Sequence, residues 1–407
     1  MNRDARSGSS DVTKRWLWYI AAIMSIGLVA GVLTAQLPPS AAATASLTQV
    51  TSFGSNPGAL QMYEYVPTTA QSGAPLVVAL HGCTQNATEY YDDSGWSQYA
   101  DQWGFDIVFP QQTSSNNSED CFDWWTPADD SRGSGEAESI MQMIQHMEST
   151  YSISSSRIYI TGLSAGGGMT SDMLADYPDV FAGGAIDSGL PAQCATSMTA
   201  TTSCEEGTSS NTAAQWGALA KNADPGYNGP YPKVAIWQGT ADYTVNDANA
   251  TDEMEQWTNL WGISQTASST QSLTGGTTES SYNGPGGTPA VETYLISGMG
   301  HGLAVNPGSA TGQCGQTGAY FLNYICSSYY TALFWGLNST TSPTPTPTQQ
   351  CFTNNNYELT VLGYAYQSFG YAFAKGSNQN MGLWSLGVTT SLSETKPGYF
   401  VIVPSCS

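Results

Sequence analysis

The segment from residue 157 to residue 168 places the strongest constraint on how this chain folds. Residues 157–161 alternate β-branched and aromatic side chains, a pattern typical of a short buried strand. The motif Gly162-Leu163-Ser164-Ala165-Gly166 follows, and residues 169–175 then form a helical stretch. A serine on a tight turn between a strand and a helix needs neighbours with almost no side chain. The segment therefore predicts that Ser164 sits on such a turn, although 43 glycines also permit an ordinary glycine-rich connection.

Short apolar runs alternate with helical stretches from about residue 47 to residue 337. The clearest helix is predicted over 136–151, where apolar side chains recur at helical spacing. Strands that alternate with helices imply an α/β fold with a mainly parallel sheet covered on both faces. The strands are predicted at 75–80, 105–109, 157–161, 181–186, 233–237 and 291–296.

Polar residues follow the carboxyl ends of four of these predicted strands. They are His81, Ser164, Asp242 and His301. Open α/β sheets form their ligand crevice at that edge. We therefore expect the four side chains to converge there.

A serine hydroxyl becomes a useful nucleophile only when a base takes its proton. The chain has three histidines, and His146 falls on the polar side of the predicted 136–151 helix, where we expect it to be solvated. His81 follows a strand and precedes a glycine, a position suited to an oxyanion-binding turn. His301 lies late in the chain in a Gly-Met-Gly-His-Gly turn. Elimination and chain order make His301 the predicted base.

The acid that orients the base is less constrained by the sequence. Asp242 follows a strand and Gly239-Thr240, and it completes the chain order serine, aspartate, histidine. We favour Asp242. Asp247 and Asp187 remain rivals, since either is also compatible with a surface turn.

An oxyanion hole needs two donors aimed at the developing negative charge. The backbone N–H of Ala165, directly after the serine, is one candidate, and the N–H of Cys83, in the loop after the first strand, is the other. A disulfide from Cys83 to Cys121 would bring Trp124 and Trp125 close to the serine. These tryptophans are candidates for the wall of a substrate cleft, and equally for ordinary core.

Eight cysteines fit an oxidising compartment. Short loops favour Cys194–Cys204 and Cys314–Cys326, and Cys351 and Cys406 bracket the last module, but the sequence does not fix the pairing. No Cys-x-x-Cys spacing suggests zinc, and no metal or organic cofactor is implied.

Charge excludes one class of partner. The formal net charge is −22 and the sequence pI is about 4.1, so phosphate backbones would be repelled and nucleic acid is not an expected partner. This composition suits a secreted protein that acts on an uncharged substrate.

Four segments are predicted along the chain. Residues 1–45 have a basic start, an apolar run and a small-residue Ala-x-Ala site, which predicts a secretory signal peptide; the long apolar run leaves an uncleaved anchor as the alternative. After signal cleavage we expect no stable membrane association. Residues 46–337 form the main domain, 338–350 a Thr/Pro-rich linker, and 351–407 a small β module.

Several motifs together resemble the secreted polyhydroxybutyrate (PHB) depolymerase family, whose catalytic domain is shared with feruloyl and acetylxylan esterases. The resemblance covers about 58–336 and implies an α/β-hydrolase fold. It also implies Ser164 as nucleophile, Asp242 as acid, His301 as base and the Cys83 amide as an oxyanion donor. The motifs are His81-Gly82-Cys83-Thr84-Gln85, Arg132-Gly133-x-Gly135-Glu136, 162–167 and 177–183.

The last module is similar to the C-terminal polyester-binding domain of those depolymerases. It departs from their pattern at 357–365, where both a histidine and an arginine are absent. A carbohydrate or another polymer is therefore the alternative ligand. The aromatic residues Tyr371 and Trp384 are candidates for the contact surface, and about half of the module's aromatics are expected to form its own core.

The sequence thus predicts a secreted serine hydrolase that cleaves the esters of an insoluble polyester, with poly(3-hydroxybutyrate) as the first candidate. The nearest alternative is a feruloyl or acetylxylan esterase that acts on plant cell-wall polysaccharide. A remote alternative is a non-catalytic polymer-binding protein on a decayed hydrolase scaffold.

Overall fold

The computed structural model describes residues 45–339, 351–396, 399–403 and 405–406. The predicted signal peptide and nearly all of the predicted linker lie outside the described residues. Within the described residues, no helix is both long enough and apolar enough to cross a membrane.

Residues 45–339 contain the strands and helices of the main domain. The strands are β1 Thr48–Val50, β2 Gln61–Tyr65, β3 Leu76–Leu80, β4 Asp106–Gln111, β5 Ile158–Leu163, β6 Gly183–Asp187, β7 Lys233–Gly239, β8 Ser269–Ser272, β9 Thr277–Asn283, β10 Pro289–Ile296, β11 Leu303–Val305 and β12 Phe321–Asn323. The helices are α1 Ala87–Asp93, α2 Trp96–Trp103, α3 Pro127–Asp130, α4 Gly135–Tyr151, α5 Ala165–Asp176, α6 Met198–Glu205, α7 Ala213–Ala223, α8 Ala248–Trp261 and α9 Ser327–Trp335, with a 3₁₀ turn at Thr274–Gly276.

One large sheet organises this domain. Among the described residues it has ten strands in the order β1-β2-β4-β3-β5-β6-β7-β10-β9-β8. The central strands β4, β3, β5, β6, β7 and β10 are parallel, whereas β1, β2, β9 and β8 add antiparallel edges. The prediction of a mainly parallel α/β sheet is confirmed for its centre, and the antiparallel edges were not predicted.

Helices cover both faces of the sheet, which explains why its central strand β3 is apolar throughout. Leu76, Val78 and Leu80 of β3 join a core on the α4 and α5 side, and the intervening Val77 and Ala79 join a second core on the other side. Side chains of a strand alternate between faces, so a strand buried on both faces reads as a continuous apolar run.

The C-terminal segment folds around a small core of its own. Its two antiparallel sheets have three strands each among the described residues, and Leu359, Ala372 and Phe400 are in the core. The elements are β13 Cys351–Asn355, α10 Asn356–Val361, β14 Ala365–Ser368, β15 Tyr371–Ala374, β16 Asn380–Leu383, β17 Thr389–Lys396 and β18 Tyr399–Val403.

Three elements of this segment differ from what its sequence predicts. The apolar residues of 383–388 predict a strand, and this prediction is wrong, because β16 ends at Leu383 and Leu386 is exposed. The helix α10 was not predicted, and neither was β17, whose polar sequence TTSLSETK lacks an apolar run. The side chain of Asn355 begins α10 by accepting the backbone N–H of Glu358 at 2.8 Å.

The eight cysteines form disulfides in the pairs that the sequence favoured, and no described cysteine is free. The bonds are Cys83–Cys121, Cys194–Cys204, Cys314–Cys326 and Cys351–Cys406.

Candidate active site

Ser164 lies on a sharp turn between β5 and α5. Its backbone is left-handed (φ 58°, ψ −119°), a strained conformation for a residue other than glycine. The close packing explains the flanking glycines: a Cβ on Gly162 would overlap the backbone of Gly166, and a Cβ on Gly166 would lie 2.5 Å from the carbonyl oxygen of His81. The N–H of Ser164 donates to the carbonyl of Asp187 at 2.9 Å, which fixes the turn against β6.

The ring of His301 stands between Ser164 and Asp242. Its Nε2 is 2.9 Å from Ser164 Oγ, and its Nδ1 is 2.8 Å from Asp242 Oδ2. An ionised carboxylate only accepts, so Nδ1–H donates to Asp242 and Nε2 accepts the serine hydroxyl proton. The structure therefore brings together three of the four residues expected at the sheet edge in one hydrogen-bonded line.

Asp242 is buried, and both oxygens of its carboxylate accept hydrogen bonds. Its Oδ1 accepts the backbone N–H groups of Thr244 and Val245, both at 2.9 Å. Its Oδ2 accepts the Gln238 side-chain amide at 3.2 Å in addition to the His301 ring. These bonds hold the carboxylate in one orientation toward the ring.

The rival acids lie elsewhere. Asp187 is buried behind the turn, where Thr161 Oγ1 donates to its Oδ2 at 3.0 Å, and burial raises its pKa to about 7. Asp247 is exposed directly before α8. His146, which we expect from the sequence to be solvated, is only partly so: the ring is half-buried, with its Nε2 3.9 Å from Glu64 Oε2.

His81, the fourth residue expected at the sheet edge, supports the backbone and does not reach Ser164. It is fully buried, and burial lowers its pKa to about 4. Its Nδ1–H donates to the carbonyl of Gly82 at 2.7 Å, and its Nε2 accepts the backbone N–H of Gln112 at 3.1 Å. The ring therefore stays neutral and fixes the loop that carries Cys83.

A cavity of about 720 Å³ opens beside Ser164 and His301. Cys83 and Ala165, the expected oxyanion donors, both line it. So do Trp124 and Trp125, which are also 2 % and 8 % exposed members of the core. Each tryptophan therefore packs in the core with one part and borders the cavity with another, and contact with substrate stays a prediction.

Carboxylates also border this cavity, and no lysine or arginine is among the described residues that line it. Glu205, at the end of α6, is one of them. Burial raises the pKa of Glu205, and nearby His301 opposes that rise. Within the described residues, no group of three or more His, Cys, Asp or Glu side chains is placed to hold a metal ion.

Tyr371 and Trp384 lie in the C-terminal segment and are not among the described residues that line the cavity. They are 44 % and 39 % exposed. Tyr371 is directly opposite Leu383 on the neighbouring strand, and the ring of Tyr357 lies 5.3 Å from that of Trp384. These residues form an exposed apolar patch.

Comparison with known proteins identifies the family. The family model "Esterase PHB depolymerase" matches residues 59–281. The chain belongs to this family. The match includes Cys83, Ser164 and Asp242 and ends before His301.

Individual relatives agree with the family match. The chain is 51 % identical over 302 residues to poly(3-hydroxyalkanoate) depolymerase C of Paucimonas lemoignei, covering 74 % of this chain and 72 % of the relative. It is 39 % identical over 264 residues to feruloyl esterase B of Talaromyces funiculosus, covering 63 % and 73 %. An acetyl xylan esterase structure from Aspergillus awamori superposes with a TM-score of 0.58 at 30 % identity, covering 63 % of this chain and 94 % of that one.

Sequence reasoning missed several residues that shape this esterase-family site. Gln238, which contacts Asp242, gave a signal because it lies four residues before the aspartate in the same strand-to-loop segment. Gln112 and Glu205 gave none, since each reaches the site only through tertiary contacts. Glu136 lies in the motif 132–136, but nothing in that motif indicated which residues its side chain contacts.

Proposed function

We propose that this chain is an extracellular serine esterase that hydrolyses an insoluble polyester, with poly(3-hydroxybutyrate) as the first candidate. The observation that carries the proposal is the hydrogen-bonded line Ser164–His301–Asp242 at the edge of the cavity. This arrangement matches the geometry that activates a serine hydroxyl. As a member of its family, the chain is a carboxylic ester hydrolase.

On this proposal, Ser164 Oγ attacks the ester carbonyl while His301 Nε2 takes the hydroxyl proton. Asp242 stabilises the imidazolium that forms, through its bond to Nδ1. The backbone N–H groups of Cys83 and Ala165 bind the negative oxygen of the tetrahedral intermediate. Collapse of the intermediate breaks the ester C–O bond, and the imidazolium gives its proton to the departing alcohol.

The acyl group then remains on Ser164 as an ester. His301 takes a proton from a water molecule, and the resulting hydroxide attacks the acyl carbonyl. The second tetrahedral intermediate collapses, returns a proton to Ser164 and releases the carboxylic acid product. Water is the second substrate of this half, and the chain supplies the nucleophile, the base and the oxyanion donors for both halves of the cycle.

The substrate class is supported by the relatives and by the cavity. The relative with 51 % identity is a poly(3-hydroxyalkanoate) depolymerase. The cavity combines apolar walls such as Trp124, Leu190 and Met198 with uncharged polar groups such as Asn116 and Thr244. A neutral aliphatic ester fits this lining.

The C-terminal segment is the proposed polymer-binding module. Several of its apolar side chains lie outside its small core and are exposed to solvent. Phe369, for example, is 99 % exposed. Patches of this kind mark interaction surfaces. We assign Tyr371 and Trp384 to contact with the solid polymer, which would hold the esterase near its substrate.

Secretion is proposed from residues 1–45 and is supported by the disulfides. Four disulfides in the described residues suit an oxidising environment outside the cell. The domain boundaries at 46–337, 338–350 and 351–407 form part of the same proposal.

The test is the clearing of a poly(3-hydroxybutyrate) granule suspension by the purified protein, beside its Ser164→Ala variant. We expect the wild type to clear the suspension and the variant to lose at least about 10⁴-fold in rate, the scale of removing a serine nucleophile. Hydrolysis of p-nitrophenyl butyrate, a soluble ester, is measured in parallel as a control.

The outcomes separate the alternatives. Hydrolysis of the soluble ester without clearing would reject the polyester and favour acetylated or feruloylated xylan, in line with the feruloyl esterase relative. Absence of both activities, together with no labelling of Ser164 by a fluorophosphonate, would favour the non-catalytic polymer-binding alternative.

A further inference from the structure

The motif Arg132-Gly133-Ser134-Gly135-Glu136 places a buried carboxylate behind the cavity. Glu136, in the first turn of α4, is 1 % exposed and is not among the residues that line the cavity. Its Oε2 accepts the backbone N–H of Asp123 at 3.0 Å, and its Oε1 accepts the side-chain amide of Gln112. A buried carboxylate with two dedicated donors calls for an explanation, because burying charge is unfavourable.

Gln112 extends these contacts to the backbone. Its side-chain amide also donates to the carbonyl of Cys121 at 3.1 Å. Its side-chain oxygen accepts the N–H of Thr113 and the side-chain amide of Asn116, both at 2.9 Å. Every polar atom of this side chain is therefore engaged, which leaves it one orientation.

The same residue reaches the loop that carries the proposed oxyanion donor. The backbone N–H of Gln112 donates to His81, and His81 donates to the carbonyl of Gly82, next to Cys83. Cys83 is also joined to Cys121 by a disulfide. Glu136 thus connects with Cys83 along two routes, one through Gln112 and His81 and one through Cys121.

We propose that Glu136 is a positioning residue that sets the Cys83 amide and the adjoining cavity wall for catalysis. The inference rests on the proposed esterase function. Glu136 touches neither substrate nor the reacting atoms; it acts through Gln112 and through the backbone of Asp123. An oxyanion donor loses much of its value when it is misaimed, because the stabilisation depends on pre-set geometry.

The ionised form of Glu136 is the one that suits its partners. Both partners present N–H groups that can only donate, so a protonated carboxyl would set its O–H against an N–H. Burial raises the pKa of Glu136 to about 8, with the charges of Asp123 and Asp129 acting in the same direction. Asp123 and Asp129 also face Glu136, and burial raises the pKa of each of them. Burial lowers the pKa of His81 to about 4, so its ring stays neutral above pH 4. The positioning effect should therefore grow as pH rises toward 8 and above.

The test is Glu136→Gln, assayed with soluble p-nitrophenyl butyrate, where polymer binding plays no part. A glutamine offers one acceptor and one amide, so one of the two donors loses its partner. We expect kcat to fall about 10- to 100-fold, part of the 10²–10³-fold effect of losing an oxyanion donor, with KM within twofold. We expect the wild-type kcat to rise as pH approaches 8, and we expect the variant to lack the part of this rise that comes from titration of Glu136.

The matched control is Glu138→Gln on the same helix. Glu138 is partly exposed, and its side chain accepts from Gln142 at 3.1 Å on the surface of α4. We expect its kcat and pH profile to match the wild type. A second variant, Gln112→Met, keeps the volume of the side chain and removes its polar contacts; it should lower kcat in the same way.

The outcomes are distinct. A folded Glu136→Gln protein with wild-type kcat and pH profile would overturn the inference. So would failure of both Glu136→Gln and Gln112→Met to fold, since the network would then serve stability alone. A wild-type protein with no esterase activity would instead overturn the proposed function, and the inference with it.

Discussion

The side chain of Asp242 shows how much of the candidate site is decided by single hydrogen bonds. Its two oxygens have different partners: Oδ1 faces two backbone N–H groups, and Oδ2 faces Gln238 and His301. All of these partners donate. Only a carboxylate satisfies them, so the residue type is fixed by its surroundings as well as by its proposed role.

Asp242→Asn should therefore lower kcat by about 10⁴-fold, the scale seen when the acid of such a triad becomes an amide. The two backbone donors would keep the asparagine oxygen at Oδ1, which directs its NH₂ group at His301. Nδ1 would then have to accept, leaving Nε2 protonated and unable to take the serine proton. Steady-state kinetics with p-nitrophenyl butyrate measures the loss.

Asp247→Asn is the matched control for this substitution, since Asp247 is exposed and lies five residues away in the chain. Its kinetics should equal those of the wild type. Equal kcat for Asp242→Asn and Asp247→Asn would contradict the assignment of Asp242 as the acid.

The turn between β5 and α5 depends on a close approach between the backbones of the helix and the neighbouring strand. Gly166, in the first turn of α5, lies against the end of β3, where a Cβ on this residue would come within 3 Å of the carbonyl oxygens of Leu80 and His81. Strand β3 is central in the sheet and buried along its whole length, so it has no room to retreat. The helix can approach the strand only because this side chain is absent.

Gly166→Ala should consequently lower the free energy of unfolding by about 3 kcal/mol, the upper part of the range for overpacking a core. Gly226→Ala is the control, because the nearest atom to its added Cβ is a side-chain oxygen of Asp224 at 3.7 Å. It should change stability by less than about 0.5 kcal/mol. Urea unfolding followed by tryptophan fluorescence measures both, and a Gly166→Ala protein as stable as the control would refute the packing argument.

Much of the fold and of the site followed from local sequence. The apolar run of β3 and the glycines around Ser164 predicted elements because their causes lie within a few neighbouring residues. His301 followed from the scarcity of histidines. The contacts of Glu136 with Gln112 did not follow, because they join positions 24 residues apart that meet only after the sheet has formed.

The C-terminal segment also contains elements that its local sequence does not predict. Strand β17 is held by pairing with β13 and β18, and its own sequence carries no strand pattern. Helix α10 has six residues and depends on its cap and on packing of Leu359. Short elements of this kind take their structure from tertiary contacts.

The main domain buries several carboxyl groups although the chain has only 10 lysines and arginines. Burial and the charge of Asp130 raise the pKa of Asp176 to about 8. Burial raises the pKa of Asp106 and that of Asp130 to about 7. Such groups bind protons in the folded state at pH values where the unfolded chain has released them.

Stability should therefore fall as pH rises. A raised folded-state pKa contributes stability that is complete below the unfolded value of about 4 and is lost as pH rises through the folded value. For Asp176 this window runs from about 4 to about 8. We expect the urea midpoint of the wild type to be lower at pH 8 than at pH 5.

Asp176→Asn, which mimics the neutral carboxyl, should reduce this difference by at least about 1.4 kcal/mol, the equivalent of one pKa unit. Asp247→Asn removes an exposed charge and should leave the difference unchanged. An unaltered pH dependence in Asp176→Asn would show that titration of Asp176 does not contribute to the trend.

The disulfide between Cys83 and Cys121 bears on when the proposed active site of this protein is fully assembled. The bond closes the loop that carries the proposed oxyanion donor onto the segment that walls the cavity. A chain whose two thiols are still reduced, as in the cytoplasm of the producing cell, lacks this link. On the proposal that the chain is secreted, this bond would form only after export, and it would then fix the loop that carries the proposed oxyanion donor.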